Sequence, residues 1–291
     1  MLMGETVLQL KSISKNYGQT VALKDVDLSF EPGIYGLLGA NGAGKSTLLN
    51  LISTLLKPST GEILYNGQDI LAMGEEYRNI LGYMPQQQSI YPNMSVLRFL
   101  HYMSALKGID KRTRSNQIDT ILKEVNLDSV KYRKIKTLSG GMKQRLLIAQ
   151  SIINNPKVLI LDEPTAGLDP VERMRLRNFI KRISSNKIII IATHVVTDIE
   201  YIADKVILLK EGKILENATQ EELINRTFVV ERQVNHQEFE ELINKYKVTR
   251  LLNQENDVVV RYIIEDTSEE SKLKEFQVRA SLDDVYLKWL G

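Results

Sequence analysis

The sequence predicts an α/β fold built on a mostly parallel sheet, and three observations predict it. Short aliphatic runs at residues 34–38, 157–161 and 187–192 alternate with stretches of helical periodicity. The first of these runs flows into a glycine-rich loop, Gly39-Ala40-Asn41-Gly42-Ala43-Gly44-Lys45-Ser46-Thr47, that opens a helix. The second ends in two adjacent carboxylates, Asp162 and Glu163.

The elements follow in order. Residues 7–13 alternate as a strand, and residues 26–30 do the same before a Glu31-Pro32-Gly33 turn. After the glycine-rich loop, Leu48, Leu49, Ile52, Leu55 and Leu56 recur at helical spacing. Residues 61–65 read as a strand running into an Asn66-Gly67 turn, and residues 80–84 as a strand stopped by Pro85. From 95 to 126 the pattern is helical, with Val96, Phe99, Leu100, Met103 and Leu106 on one stripe and Lys107-Gly108 as a stop. Residues 139–154 form another helix, and Pro170 opens a further one. Residues 206–209 and 213–215 flank Glu211-Gly212 as a hairpin.

This order gives a main domain over residues 1–226, with an inserted helical subdomain over about 87–155. Beyond it, residues 228–230 and 257–264 read as strands and 237–246 as a helix. A last amphipathic helix starts at Ser281-Leu282-Asp283-Asp284 and ends near Gly291. Residues 227–291 are therefore expected to form a small α+β appendage.

Bulk composition narrows the function classes. The chain has 291 residues, 43% of them hydrophobic, which suffices for a sizeable core. A net charge of +2 gives no argument for a nucleic-acid surface, and no nucleic-acid partner is expected. With no cysteine, disulfides, thiolate metal sites and cysteine nucleophiles are excluded. The opening Met1-Leu2-Met3-Gly4-Glu5 lacks the features of a secretory signal. The longest aliphatic run, residues 188–192, falls far short of the ~20 residues needed to span a bilayer.

The chemistry lies in three clusters. The loop at residues 39–47 fits the phosphate-loop pattern. Its glycines let successive N–H groups face one anion, and the helix N-terminus adds its positive end. Lys45 would reach the β- and γ-phosphates of a nucleotide, and the Ser46 hydroxyl would ligate Mg²⁺. Asp162, at a strand end, would hold the metal through water, and Glu163 would polarise an attacking water as general base. Leu138-Ser139-Gly140-Gly141-Met142 is a second small anion nest at a helix start. One chain with two nests can serve one nucleotide if two chains sandwich it.

In this order the motifs resemble the ATP-binding-cassette (ABC) ATPases, over residues 5 to about 225. The resemblance implies a P-loop NTPase core of ABC type with an antiparallel β subdomain and the inserted helical subdomain. It implies roles by position. Tyr17 stacks on adenine, Asn41, Gly42, Gly44, Lys45, Ser46 and Thr47 cradle the phosphates, and Gln86 reaches the metal and a membrane partner. Ser139, Gly140 and Gly141 form the signature that meets the nucleotide of a second chain, where Asp169 also crosses. His194 contacts the γ-phosphate beside Glu163. Gln87 and Gln88 adjoin Gln86, while His101 and His236 read as ordinary helix residues. Met142 and Ala166-Gly167 depart from the commoner Gln and Ser-Ala, without touching the nest residues.

The implied cofactors are ATP and Mg²⁺. The implied assembly is a homodimer or heterodimer of such domains, energising a separate transmembrane permease at the cytoplasmic face of the membrane. The stretch at residues 134–145 and the ending Ala280-Ser281-Leu282-Asp283-Asp284-Val285-Tyr286-Leu287 resemble the branch that exports drugs, bacteriocins and lantibiotics. The competing reading is an ABC-type ATPase with no membrane partner. Its translation-factor and repair branches use paired cassettes or long coiled-coil insertions. This chain has one cassette, with about ninety residues between phosphate loop and signature.

Overall fold

The computed structural model describes residues 6–86, 90–253 and 258–291. Met1 to Glu5, Gln87, Gln88 and Asp257 lie outside the described residues, as does the side chain of His236. The first segment runs β1 (Leu8–Tyr17), β2 (Thr20–Phe30), β3 (Gly33–Leu38), α1 (Lys45–Ile52), β4 (Thr60–Tyr65), β5 (Gln68–Asp69), α2 (Ile70–Met73), α3 (Glu75–Ile80) and β6 (Leu81–Met84). Three helices follow: α4 (Val96–Leu106), α5 (Lys111–Glu124) and α6 (Gly140–Ile152). The chain returns through β7 (Val158–Asp162), α7 (Pro170–Ile183), β8 (Ile188–Ala192), α8 (Val196–Glu200), β9 (Lys205–Lys210), β10 (Lys213–Ala218) and α9 (Gln220–Asn225). The tail comprises β11 (Phe228–Val234), α10 (His236–Lys245), β12 (Lys247–Asn253), β13 (Val258–Ile264), α11 (Thr267–Leu273), β14 (Gln277–Val278) and α12 (Leu282–Leu290).

A six-stranded sheet in the order β10-β9-β3-β8-β7-β6 forms the centre. Its strands are parallel except β10, which returns antiparallel beside β9 through the Glu211-Gly212 turn. An antiparallel sheet, β2-β1-β4-β5, covers one face. Strand alternation sorts the side chains between two cores. Ile34, Leu38, Leu159, Leu161, Ile189 and Ile191 face the core shared with α4 to α8, while Tyr35, Leu37, Val158, Ile160, Ile188 and Ile190 face the antiparallel sheet. Parallel strands buried on both faces read as unbroken aliphatic runs, which is why they stand out in the sequence.

Two expectations change. The helix after the glycine-rich loop stops at Ile52, where Ser53 caps it and Thr54 turns into the left-handed region (φ 61°). Leu55 therefore lies outside the helix and is exposed. The tail also holds β12 and α11, which the sequence did not announce. β12 is an edge strand with a register shift between Val248 and Arg250, so its alternation is blurred.

The tail sheet runs β12-β13-β11-β14, with α10 and α11 packed on the face bearing Val230, Val260 and Tyr262. Its closing helix does not stay within it. Leu282 and Val285 of α12 are fully buried with Ile199, Ile202, Val206 and Leu223 of the main core, while Leu287 packs toward Val229 and Ile263 of the tail. The Arg261 guanidinium donates to both Asp284 carboxylate oxygens (2.7 and 3.2 Å) and to Glu231 (3.3 Å), tying β13 and β11 to α12. Burial alone would raise the Asp284 carboxyl, but hydrogen bonds from Arg261, Thr249 and Ser281 hold it below its ordinary value.

Candidate functional site

The site lies at the C-terminal ends of the parallel strands. β3 ends at Leu38 and the chain turns through the glycine-rich loop into α1. Two glycines are fixed by close approach. A Cβ on Gly39 would stand 2.5 Å from the Leu209 carbonyl oxygen, and one on Gly44 (φ 109°) 2.7 Å from that of Ala22. The loop is thus wedged between β9 and β2. No side chain caps the first N–H groups of α1, and no acidic residue sits in its first turn. Those donors are left for an anion.

Lys45 lies at that helix start. Its Nζ donates to the carbonyls of Gly39 (2.6 Å) and Ala40 (3.0 Å). Burial pulls its pKa down, against the charges of Glu163 and Asp162, which favour the cation. Asn41, Gly42 and Ser46 are exposed on the loop and Thr47 is half-buried.

The second group comes from β7 and β8. Their parallel register sets Asp162 beside Ala192, and the Glu163 N–H donates to the Ala192 carbonyl at 2.8 Å. Glu163 is a left-handed residue (φ 51°) and is 6% exposed. Its carboxylate accepts from the Thr193 hydroxyl (3.1 Å) and the His194 backbone N–H (3.1 Å), and His194 Nδ1 stands 2.7 Å from Oε1. The Asp162 carboxyl is pushed up to about 6 by burial and by the Glu163 charge, against Lys45 and a hydrogen bond from the Gln86 backbone. The fold therefore brings Lys45, Asp162, Glu163, His194 and the Gln86 backbone into one electrostatic neighbourhood.

The remaining candidates stand apart from it. Ser139 caps α6, its hydroxyl accepting from the Met142 N–H at 3.3 Å. Gly141 is closely faced: a Cβ there would fall 2.0 Å from Glu172 Oε2, so the Glu172 side chain, whose carboxylate also pairs with Arg145 (3.1 Å), would have to move away. Gly140 faces open space. Asp169 caps α7, accepting from the Glu172 N–H at 2.8 Å, with Pro170 at the first helical position. Tyr17 is half-exposed at the end of β1, with the Lys15 ammonium 5.4 Å from its ring centre. The Gln86 side chain is exposed. The described hydrogen bonds of Ser139 and Asp169 are all within their own helix starts. A crevice of about 460 Å³ between α5 and the starts of β7 and β8 is lined by none of these residues.

Two contributors escape sequence reasoning. Thr193, fully buried, and Gln144, whose Nε2 donates to the Glu163 carbonyl at 3.0 Å, both hold Glu163. The one signal was a polar residue closing an all-aliphatic strand.

The donor set suits a hard divalent cation: a hydroxyl at Ser46 and a carboxylate at Asp162. Ionising buried Asp162 carries a cost that a bound cation would offset. The topology and the loop together define a P-loop nucleoside triphosphatase fold.

Residues 23–166 match the family described as ABC transporter. The lantibiotic transport ATP-binding protein SrtF of Streptococcus pyogenes is 34% identical over 234 residues, covering 78% of this chain and 99% of that protein. ABC transporter A family member 1 of Dictyostelium discoideum is 38% identical over 192 residues, covering 66% of this chain. This chain spans only 22% of that longer relative. A solved ATP-binding subunit of an ABC transporter superposes with a TM-score of 0.70 at 26% identity, over 76% of this chain and 93% of that one. The chain belongs to the ABC transporter family and carries its ATPase domain, the cassette that binds ATP with Mg²⁺ and hydrolyses it. Among the described residues no helix is long and apolar enough to cross a membrane.

Proposed function

We propose that this chain is the ATP-hydrolysing motor of an exporter of peptides or drugs, working at the cytoplasmic face of the membrane on a separate permease. The observation that carries this reading is the gathering of Lys45, Asp162, Glu163 and His194 at one end of the sheet, with a second helix start, Ser139–Gly141, whose described cap hydrogen bond stays within that start. Lys45 would leave the loop carbonyls for the β- and γ-phosphates. Ser46, Asp162 and Gln86 would hold Mg²⁺, which supplies charge neutralisation at the phosphates. Glu163 would orient the attacking water and take its proton, with His194 at the γ-phosphate. Tyr17 would stack on adenine, and Ser139, Gly140, Gly141 and Asp169 would complete the site of a second chain. ATP then favours the closed dimer over the open one, and this difference in affinity does mechanical work. The permease would dock on the Gln86 loop and the helical subdomain, where exposed Tyr91 and Tyr102 pack edge to face at 5.4 Å. Export is supported by the likeness to SrtF, whose name assigns it to lantibiotic transport.

One experiment tests both halves. Glu163→Gln is expressed in the native cell and extracted gently with ATP present. Expected are retained ATP, turnover lowered about 100-fold, an accumulated dimer and a companion polytopic membrane protein. Unchanged turnover would refute the assigned base, and a preparation without a membrane companion would refute the transporter role.

A further inference from the structure

A buried polar contact outside the nucleotide site joins two segments that the site depends on. Thr165 lies in the loop between Glu163 and Asp169 and is 2% exposed. Its hydroxyl donates to Asp198 Oδ2, on α8, and Asp198 is equally buried. The second carboxylate oxygen, Oδ1, has no hydrogen bond, and the nearest cation, Arg177 Nη1, stands 3.8 Å away. That guanidinium in turn donates to the Thr197 carbonyl (3.0 Å) and lies over the Tyr201 ring. A buried carboxylate with so thin a set of partners is costly, and a core built for stability alone would be served by an apolar residue.

The position of α8 makes the contact consequential. α8 begins two residues after His194. It is pressed onto β3, because a Cβ on Gly36 would fall 2.2 Å from Ile199 Cγ2. On the tail side α12 packs against it. The helix is thus clamped between the central sheet and the tail, and among the described residues Asp198 is its one polar hold on the loop to Asp169.

We propose that Asp198 is a positioning residue for ATP hydrolysis: through the Thr165 hydroxyl it fixes the loop from Glu163 to Asp169 against the helix that follows His194. The base, the histidine and the segment facing the second chain then keep one mutual geometry, and α8 carries the restraint of the tail to all three. The inference rests on the reading of Glu163 as general base.

The test is Thr165→Val, which keeps the shape and removes the hydroxyl, beside Thr165→Ser, which keeps the hydroxyl. Steady-state ATPase and binding of a non-hydrolysable ATP analogue are measured for both, with Glu163→Gln in parallel. Expected for Thr165→Val is kcat lowered about ten-fold, with KM and analogue affinity within about two-fold of the parent. Thr165→Ser should restore kcat. Asp198→Ala should show the same loss, and adding it to Thr165→Val should lower kcat no further. Unchanged kcat in Thr165→Val, failure of the serine to restore it, or losses that multiply in the double variant would overturn the proposal. Parent-like turnover in Glu163→Gln would overturn the reading beneath it, whatever the Thr165 variants do.

Discussion

Asp162 carries opposed demands. Its carboxyl, raised to about 6 by burial and by Glu163, is costly to ionise in the nucleotide-free protein. A carboxyl raised in the folded state favours folding fully below its unfolded value of 3.8, and that contribution is lost as the pH climbs through about 6. Asp162→Asn should therefore stabilise the nucleotide-free chain at pH 8, and the gain should fade between about pH 6 and pH 4. The same variant should lose most ATPase activity. Urea denaturation at the two pH values checks the sign. A variant less stable than the parent at pH 8 would show that Asp162 is held by partners rather than strained by burial. The residues around it differ in how far they could be read beforehand. Lys45 and Ser46 are legible because loop and helix are contiguous. The Thr193 bond to Glu163 spans thirty positions and exists only because β7 and β8 are neighbours.

At the scale of elements, the start of α6 separates packing from function. Gly141 is faced at close range by the Glu172 carboxylate, whereas Gly140 faces open space and has no steric reason of its own. Gly141→Ala should displace Glu172 from Arg145 and cost about 1–2 kcal/mol of stability. Gly140→Ala should leave stability within about 0.5 kcal/mol yet lower ATPase at least about ten-fold, if a second chain's nucleotide uses that space. Thermal melts and turnover of the pair decide it: equal activity in Gly140→Ala and the parent would remove the nest from the site. The sequence announced both glycines but could not rank them, since the neighbour that matters is Glu172 on another helix. It also extended α1 to Leu56 on apolar spacing, because spacing does not register the backbone reversal at Thr54.

For the whole molecule, α12 is the decisive element. Its amphipathic stripe was plain in the sequence, but a stripe does not say what covers it. Arg261, Asp284 and Glu231 lock it to the tail, and Leu282 and Val285 lock it to the ATPase core. Asp284→Ala leaves the Arg261 guanidinium, 15% exposed, with Glu231 and the Arg279 carbonyl, and should cost about 3 kcal/mol. The single tryptophan, Trp289, packs on that same helix against the main core, so its fluorescence reports the docking directly. Its urea transition should move to lower concentration in the variant. An unmoved transition would show that apolar packing alone holds the tail in place.

That shared helix also bears on synthesis. The core between the central sheet and α4 to α8 is not closed by the residues of the main domain alone. It waits for side chains some eighty positions later than Ile199 and Ile202, which they cover. While the ribosome is still making the tail, this patch of the cassette stays wet, and the core is complete only when α12 has emerged and folded back onto it.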